Sequence, residues 1–258
     1  MESTAWSPPW DRVSGSSPLV ATALHTGSDV RPGLERFLAA DEAARRAARD
    51  PFAARWAGAL VNRVIVRRSR YEIDLDQTRD RAIPVDLEEP AGRPIWRDPP
   101  PRAYYEETLA LYDRFYDDVA GLLRVVLSRF GSVTLLDLRC RKVEETRGAR
   151  VWLSTPTPGE RHCEAAISTL AHALRDALGP LAPVARPRVR QDGAFLPWVA
   201  HRFEPHLHVV SVHLDAPTAP GLEPSPMLGR AVELALRSSV PRLDTGPRER
   251  LLRGVAGR

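Results

Sequence analysis

The sequence predicts a single α/β domain with a mostly parallel sheet and helices on both faces. Short apolar runs alternate with longer segments whose apolar residues recur every three or four positions, the order typical of parallel strands joined by helices. The 258 residues, 43% of them hydrophobic, can bury one large core, although length alone also allows two smaller domains. Polar residues follow the apolar runs, where open α/β sheets build their sites.

The first 17 residues, rich in proline and serine, are predicted to be a disordered or loosely packed leader. We expect the domain to span residues 18–240, with a C-terminal tail over 241–258. Leu19 to Leu24 is the first predicted strand, and His25 follows it at the transition to a loop.

Residues 41–60 predict two consecutive helices, the second starting at Pro51 after Asp50. The β-branched residues of 61–67 predict a strand, and 71–75 a further short one. The polar residues that come next indicate a loop.

The proline-rich stretch 87–102 is expected to be an irregular surface excursion. The longest helix should span 104–130, where apolar residues recur at helical spacing up to Gly131. The strand 133–138 then brings Asp137 and Arg139 to its carboxyl end.

The second half of the chain continues the alternation. Helices are predicted over 160–178, 195–203 and 226–237, with a strand over 207–214 and an irregular stretch over 183–193.

Composition narrows the class of protein. No apolar run is long enough to cross a bilayer, so we expect a cytoplasmic protein without membrane contact. The formal net charge is only +4 and the arginines are interleaved with acids, so we expect no nucleic-acid partner. Cys140 and Cys163 lack the spacing of a disulfide framework or zinc ribbon.

Four segments, taken in order, resemble the N-formylglutamate amidohydrolase family from about Pro18 to about Arg237. The best preserved is similar to the family signature Ser-Arg-aromatic-x-Val-Asp-Leu-Asn-Arg. The segments are His25-Thr26-Gly27, Arg49-Asp50-Pro51-Phe52, Ser69-Arg70-Tyr71-Glu72-Ile73-Asp74-Leu75 and Leu136-Asp137-Leu138.

This resemblance implies a zinc-peptidase-like, phosphorylase/hydrolase-like fold and zinc-dependent hydrolysis of the amide bond of a small N-acyl amino acid, such as an N-formyl amino acid. It implies His25 and Asp50 as metal ligands. His213 falls at the position of the family's catalytic glutamate, and we expect it to act as a general base.

Five residues are predicted to bind the substrate. A forked guanidinium captures a carboxylate with two hydrogen bonds, and an aspartate can hold such an arginine in place. An ion-pair network that braces two strands is the alternative for the same charged residues. The five are Arg70, Tyr71, Asp74, Arg79 and Arg139.

The departures from the family pattern lie where the chemistry would occur. Arg139 stands at the expected zinc histidine, and a guanidinium stays protonated and has no lone pair for a metal. Ala54 stands where a second acid is expected, Asp76-Gln77 replaces Asn-Arg, and Asp192-Gly193 replaces Gly-Gly. The candidates for replacing the lost ligand are His162, His201, His206, His208 and His213.

Two hypotheses follow. The chain is either an amide hydrolase with a rearranged metal site, or a catalytically inactive family member that binds a small carboxylate-bearing ligand or a protein partner. Cys140 is either a nucleophile activated by neighbouring arginines or a buried, unreactive thiol, and the second is favoured because no partner base is evident.

Overall fold

The computed structural model describes residues 8–84, 94–143, 150–155, 161–179, 183–185, 193–217, 230 and 234–235. It confirms a single α/β domain built on a seven-stranded sheet in the order β1-β3-β2-β4-β7-β5-β6. The strands are β1 (Trp10–Val13), β2 (Leu19–Ala23), β3 (Arg63–Val66), β4 (Val133–Val143), β5 (Val151–Ser154), β6 (Val184–Ala185) and β7 (Leu207–Pro217).

The four central strands, β3, β2, β4 and β7, are parallel to one another. β1 and β5 each run antiparallel to the strand beside them, and β6 is parallel to β5. The register pairs Thr22 with Asp137 and Arg139 with His213. Because side chains at paired positions share a face of the sheet, these four residues lie on the same face of the neighbouring strands β2, β4 and β7.

Helices cover both faces, as predicted. α3 and α5 pack on one face around Phe115 and Phe195, and α2 and α4 pack on the other around Trp56 and Leu170. All four of these side chains are fully buried. The helices are α1 (Glu42–Ala47), α2 (Pro51–Gly58), α3 (Arg102–Phe130), α4 (Arg161–Leu178) and α5 (Phe195–Phe203).

The alternation of β4 decides which side chains reach the site. Leu136 and Leu138 face the α2/α4 core, whereas Leu135 faces the α3/α5 core. Since successive side chains of a strand point to opposite faces, Asp137 and Arg139 continue the row of Leu135. The row therefore changes from apolar to charged in the middle of β4, between Leu135 and Asp137.

The predicted leader is partly wrong, because β1 lies within it. Trp10 is 2% exposed and its ring meets Phe115 edge-on, with ring centroids 5.3 Å apart. Its Nε1 donates a hydrogen bond to Asp118 at 3.0 Å. The packing of Trp10 and the pairing of β1 with β3 keep these residues in place, although their composition alone predicted a loose segment. Residues 1–7 lie outside the described part of the chain.

Other boundaries differ in detail. Residues 71–75 were predicted as a strand but are not part of one. The N–H groups of Glu72 and Ile73 donate to the Ser69 carbonyl, which turns the chain, and Ile73 and Leu75 pack into the α3/α5 core. β5 and β6 were not predicted. Most of the predicted helix 226–237, and the whole tail 241–258, lie outside the described residues. None of the described helices is both long and apolar enough to cross a membrane.

Candidate functional site

Polar side chains meet where the carboxyl end of β2 lies beside the middle of β4, on the face covered by α3 and α5. Thr22 Oγ1 donates to Asp137 Oδ1 at 2.9 Å across these two strands. Both residues are completely buried. This pair forms the floor of the site.

The loop after β2 holds His25 against the end of β3. Gly27 approaches the Arg67 backbone so closely that a Cβ there would collide with it. Thr26 Oγ1 donates to the Val66 carbonyl at 2.5 Å. The glycine of the predicted His-x-Gly motif is therefore required by packing, and it places His25 at the edge of the sheet.

Asp50 lies next to His25, since its N–H donates to the His25 carbonyl at 2.6 Å. Asp50 Oδ2 accepts a hydrogen bond from the Cys140 N–H at 3.2 Å, which ties the start of α2 to the end of β4. Burial raises the pKa of the Asp50 carboxyl, and His25, the Cys140 N–H, Arg139 and Arg70 oppose that rise. The side chain thus lies among three cationic or potentially cationic groups.

Asp74 is the centre of a second group of contacts. Its carboxylate accepts a hydrogen bond from His25 Nε2 at 3.1 Å and from Arg70 at 2.8 Å. The Asp76 N–H also donates to it, at 3.1 Å. Burial alone would raise the pKa of Asp74, but the His25 hydrogen bond and the charges of His25 and Arg70 hold it well below its usual range.

The turn that carries Asp74 and Asp76 is fastened to α3 by two tyrosines. The Tyr116 hydroxyl donates to the Leu75 carbonyl and the Tyr112 hydroxyl to the Gln77 carbonyl, each at 2.9 Å. Burial raises the pKa of both phenols. They therefore act as neutral hydrogen-bond donors that fix the backbone of the turn.

Arg139 lies between two buried carboxylates. Its Nε donates to Asp137, and its Nη1 donates to Asp76 Oδ2 at 2.5 Å. The Arg139 side chain is 16% exposed, and the two aspartates are almost fully buried. Burial would lower the pKa of Arg139, but Asp137 and Asp76 raise it well above the ordinary arginine value. The guanidinium is a permanent cation here.

Gly193 completes the surroundings of Asp76. A Cβ at Gly193 would clash with the Asp76 carboxylate oxygens. The Ala194 N–H donates to the Asp76 carbonyl at 2.6 Å, which joins the start of α5 to the same turn. Within the described residues, the buried Asp76 Oδ1 has no hydrogen-bond partner.

His213 lies beside Arg139 on β7. Its Nε2 is hydrogen-bonded to Ser211 Oγ at 2.8 Å, and the two side chains share one face of the strand. The structure therefore brings His25, Asp50, Arg70 and Asp74 together and places His213 on the neighbouring strand, opposite Arg139. The general-base role of His213 stays a prediction.

Two predicted substrate-binding residues lie away from this group of side chains, and their role in substrate binding stays a prediction. Arg79 is on the surface, where its Nε and Nη2 bind Asp113 at 2.7 and 2.9 Å. A nearer carboxylate on α3 captures this guanidinium. Tyr71 is buried in a separate apolar cluster with Leu38 and Ile95, because its ring finds apolar partners there.

Asp76, Gly193 and Ser211 were not among the predicted site residues. Asp76 carried a signal as a departure from the family pattern, and Gly193 as the retained glycine beside the departure at Asp192. Ser211 could have been found only from its position, because a residue two places before His213 on a strand shares its face of the sheet.

Among the described residues, the side chains of this site do not fit a zinc ion. A hydrolytic zinc site needs about three protein ligands, and Arg139, at the position where the family resemblance implies a histidine ligand, has no lone pair for a metal. The described residues contain no group of three histidine, cysteine or acidic side chains arranged to hold a metal. His201 and His206 are exposed, and the side chain of His162 lies outside the described residues.

Cys140 has the environment of an unreactive thiol. Burial raises its pKa to about 12, and the charge of Asp50 adds to this effect. The charge of Arg139 is directed to Asp76 and Asp137, to which it is bound, and not to the Cys140 thiol.

Comparisons with known proteins agree with this architecture. Residues 17–216 match the sequence profile of the N-formylglutamate amidohydrolase family. The crystal structure of N-formylglutamate amidohydrolase from Ralstonia eutropha JMP134 is similar, with a TM-score of 0.72 and 17% identity over 92% of this chain and 99% of that chain. A gene product of Agrobacterium tumefaciens gives a TM-score of 0.63 and 18% identity over 92% and 97% of the two chains. No curated protein matches in sequence.

Proposed function

Because the chain belongs to the N-formylglutamate amidohydrolase family, we propose that it keeps the fold and carboxylate pocket of that family but not its zinc chemistry. In this proposal the protein binds a small carboxylate-bearing ligand. The observation that carries this proposal is the position of Arg139, whose guanidinium binds both Asp76 and Asp137.

The contact between Arg139 and Asp76 supports a rebuilt site over a decayed one. Arg139 replaces the family's zinc histidine, and Asp76 replaces the asparagine of its signature. The two residues lie 63 positions apart in sequence, and Arg139 Nη1 lies 2.5 Å from Asp76 Oδ2. A buried guanidinium needs carboxylate partners, so the second replacement compensates the first.

The surroundings of Arg70 support the proposal that the ligand carries a carboxylate. Its side chain is 35% exposed, and Asp74 holds one of its nitrogens. No other described residue hydrogen-bonds to it, so the rest of its guanidinium can receive a carboxylate. Arg70 also stands in the best preserved segment of the family signature.

Metal analysis of the purified full chain tests the first half of the proposal. Zinc is supplied at neutral pH, the excess is removed, and bound zinc is measured by mass spectrometry. We expect far less than one zinc per chain. One tightly bound zinc per chain would overturn the proposal and favour a hydrolase with a rearranged site.

Ligand titration tests the second half. N-formyl-L-glutamate and glutarate are titrated calorimetrically against the wild type and Arg70→Gln. We expect Arg70→Gln to weaken binding of any carboxylate that the wild type binds. Arg102→Gln is the matched control, because Arg102 is exposed and pairs only with Glu106 among the described residues. Equal weakening by both variants would contradict the role of Arg70.

The hydrolase alternative retains one observation in its favour. His25 and Asp50, two ligands implied by the family resemblance, remain neighbours. An assay for hydrolysis of N-formyl amino acids, with and without added zinc, addresses it. The scaffold alternative has no specific contact in its favour among the described residues.

A further inference from the structure

Three half-buried side chains form a row across the sheet beside the site. The register pairs Arg139 on β4 with His213 on β7, and His213 with Trp152 on β5. Paired residues share a face of the sheet on strands about 4.8 Å apart, so neighbours in this row lie within reach of one another. We call Arg139, His213 and Trp152 the Arg139 row.

The Arg139 row points to the same face as the site. Leu153 on β5 and Val212 on β7 belong to the α2/α4 core. Because successive side chains of a strand point to opposite faces, Trp152 and His213 point to the face covered by α3 and α5. The row therefore extends the site from β4 across β7 to β5.

This face of β7 is exposed at His213 and buried on either side of it. Ser211 and Asp215, two positions before and after His213, are both buried, whereas His213 is partly exposed. On β5, Ser154 is buried and Trp152 is partly exposed. A ligand above the sheet can therefore reach the imidazole and the indole of the row.

The two rings of the row offer a preformed aromatic surface. His213 Nε2 is hydrogen-bonded to the buried Ser211 Oγ at 2.8 Å, which holds the imidazole in place, and Trp152 lies opposite it on the antiparallel strand. A ring of a ligand gains both buried apolar area and ring contacts on such a surface.

Arg70 and Trp152 lie on opposite sides of the site. Arg70 and His25 bind the two oxygens of Asp74, at 2.8 and 3.1 Å, which places the Arg70 guanidinium beside His25, just after the end of β2. The sheet order β2-β4-β7-β5 separates β2 from β5 by three strand spacings, about 14 Å. A ligand bound through its carboxylate to Arg70 needs a long substituent to reach Trp152.

The acyl end of an N-acyl amino acid can supply that length. A formyl carbon lies about 3.5 Å from the carboxylate carbon, the length of one residue. An acyl group that carries a ring on a short linker extends several ångströms further, and the long side chains of Arg70 and Trp152 cover part of the remaining distance. A ring on the amino acid's own side chain lies nearer the carboxylate and fits this span less well.

We propose that the pocket takes N-acyl amino acids with an aromatic acyl group, with the carboxylate on Arg70 and the ring against Trp152 and His213. This inference deepens the proposed function and rests on it, because it assumes a carboxylate ligand at Arg70. Trp152 is then a specificity-determining residue.

Calorimetric titration of the full chain tests the preference. The N-formyl, N-acetyl and N-phenylacetyl forms of L-alanine and L-glutamate are compared at neutral pH. We expect each N-phenylacetyl form to bind at least about tenfold more tightly than the N-formyl form of the same amino acid. Equal affinities, or tighter binding of the N-formyl form, would overturn the inference while leaving the carboxylate proposal intact. Absence of binding by all the compounds would overturn both.

Trp152→Leu separates a ligand contact from a structural role. This variant should lose about tenfold in affinity for the N-phenylacetyl form and keep its affinity for the N-formyl form. Trp152→Phe, which retains a ring, should keep most of the preference, and circular dichroism checks the fold of each variant. Equal losses for both ligands in Trp152→Leu would contradict the ring contact.

Trp198→Leu is the matched control. Trp198 is also half-buried, but it lies on α5 and its ring meets Tyr116 edge-on, with ring centroids 4.6 Å apart. Its replacement should leave the preference for the N-phenylacetyl form unchanged. A loss of preference as large as that of Trp152→Leu would contradict the assignment of the ring to Trp152.

Discussion

Arg139 and Asp76, from two segments that the fold brings together, form a nearly buried ion pair with Nη1 and Oδ2 2.5 Å apart. Asp137, two residues before Arg139 on the same face of β4, binds the same guanidinium. A metal ion binds side chains by accepting their lone pairs. Here the guanidinium of Arg139 lies between two carboxylates and donates hydrogen bonds to both.

Arg139→Met should destabilise the protein by about 3–5 kcal/mol, because Asp76 and Asp137 would remain buried without their cation. The free energy of unfolding from urea denaturation measures this loss. Arg79→Met is the control and should change stability little, since the Arg79–Asp113 pair is exposed. Similar losses in the two variants would contradict a special role of the buried pair.

The replacements at positions 139 and 76 should behave as a coupled pair. Arg139→His alone leaves Asp76 buried without its partner, whereas Arg139→His combined with Asp76→Asn removes both charges. We expect the double variant to be more stable than the sum of the two single changes implies, and to bind zinc more tightly than Arg139→His. A double-mutant cycle and competition with a chromogenic chelator measure the two effects. Additive energies would show that the residues are independent.

Gly193→Ala should destabilise the protein by about 1–3 kcal/mol, because the new methyl group would overlap the Asp76 carboxylate. Gly58→Ala is the matched control. It lies at the end of α2, with no atom within 4 Å of the added Cβ, and should be neutral or stabilising. Thermal unfolding of both variants tests the difference, and a stable Gly193→Ala protein would show that the turn has room to move.

Cys140 should react slowly with iodoacetamide at pH 8, since a thiol with a pKa of about 12 is almost entirely protonated there. Mass spectrometry of the native protein, compared with the urea-unfolded protein, measures the protection. Rapid and selective labelling of native Cys140 would instead indicate an activated nucleophile.

Asp74 should contribute stability that is lost in acid. Its folded pKa lies below the ordinary value of 3.8, so the contribution is present above that value and disappears as the pH falls toward the folded pKa. Asp74→Asn also leaves His25 and Arg70 without their shared partner. The Tm difference between wild type and variant should therefore be largest near neutrality and narrow below pH ~4. A difference that widens in acid would contradict the sign.

The central fold could be predicted because its strands and helices have strong local patterns. The helix 195–203 was predicted with the bounds that the structure has, since its apolar residues recur at helical spacing. β1 was missed because Trp10 acquires its role from β3 and α3, both more than 50 positions away. A four-residue strand among prolines and serines has no local pattern of its own.

The site was partly predictable for the same reason. Gly27 and Arg139 stood out from local sequence and family resemblance. The position of Arg79 could not be predicted in this way. Whether its side chain points to the site or binds Asp113 depends on how α3 packs against the rest of the domain. The pairing of Asp76 with Arg139 likewise depends on tertiary contact, and the sequence showed them only as separate departures.

β1 also affects how the molecule meets other copies of itself. As the outermost strand it covers β3, and its own open edge carries the exposed charged residues Asp11 and Arg12. Charges on an edge strand disfavour edge-to-edge pairing between molecules. Removal of residues 8–17 would uncover β3, whose Val64, Ile65 and Val66 form a short β-branched run, and would turn a protected margin into a starting point for aggregation.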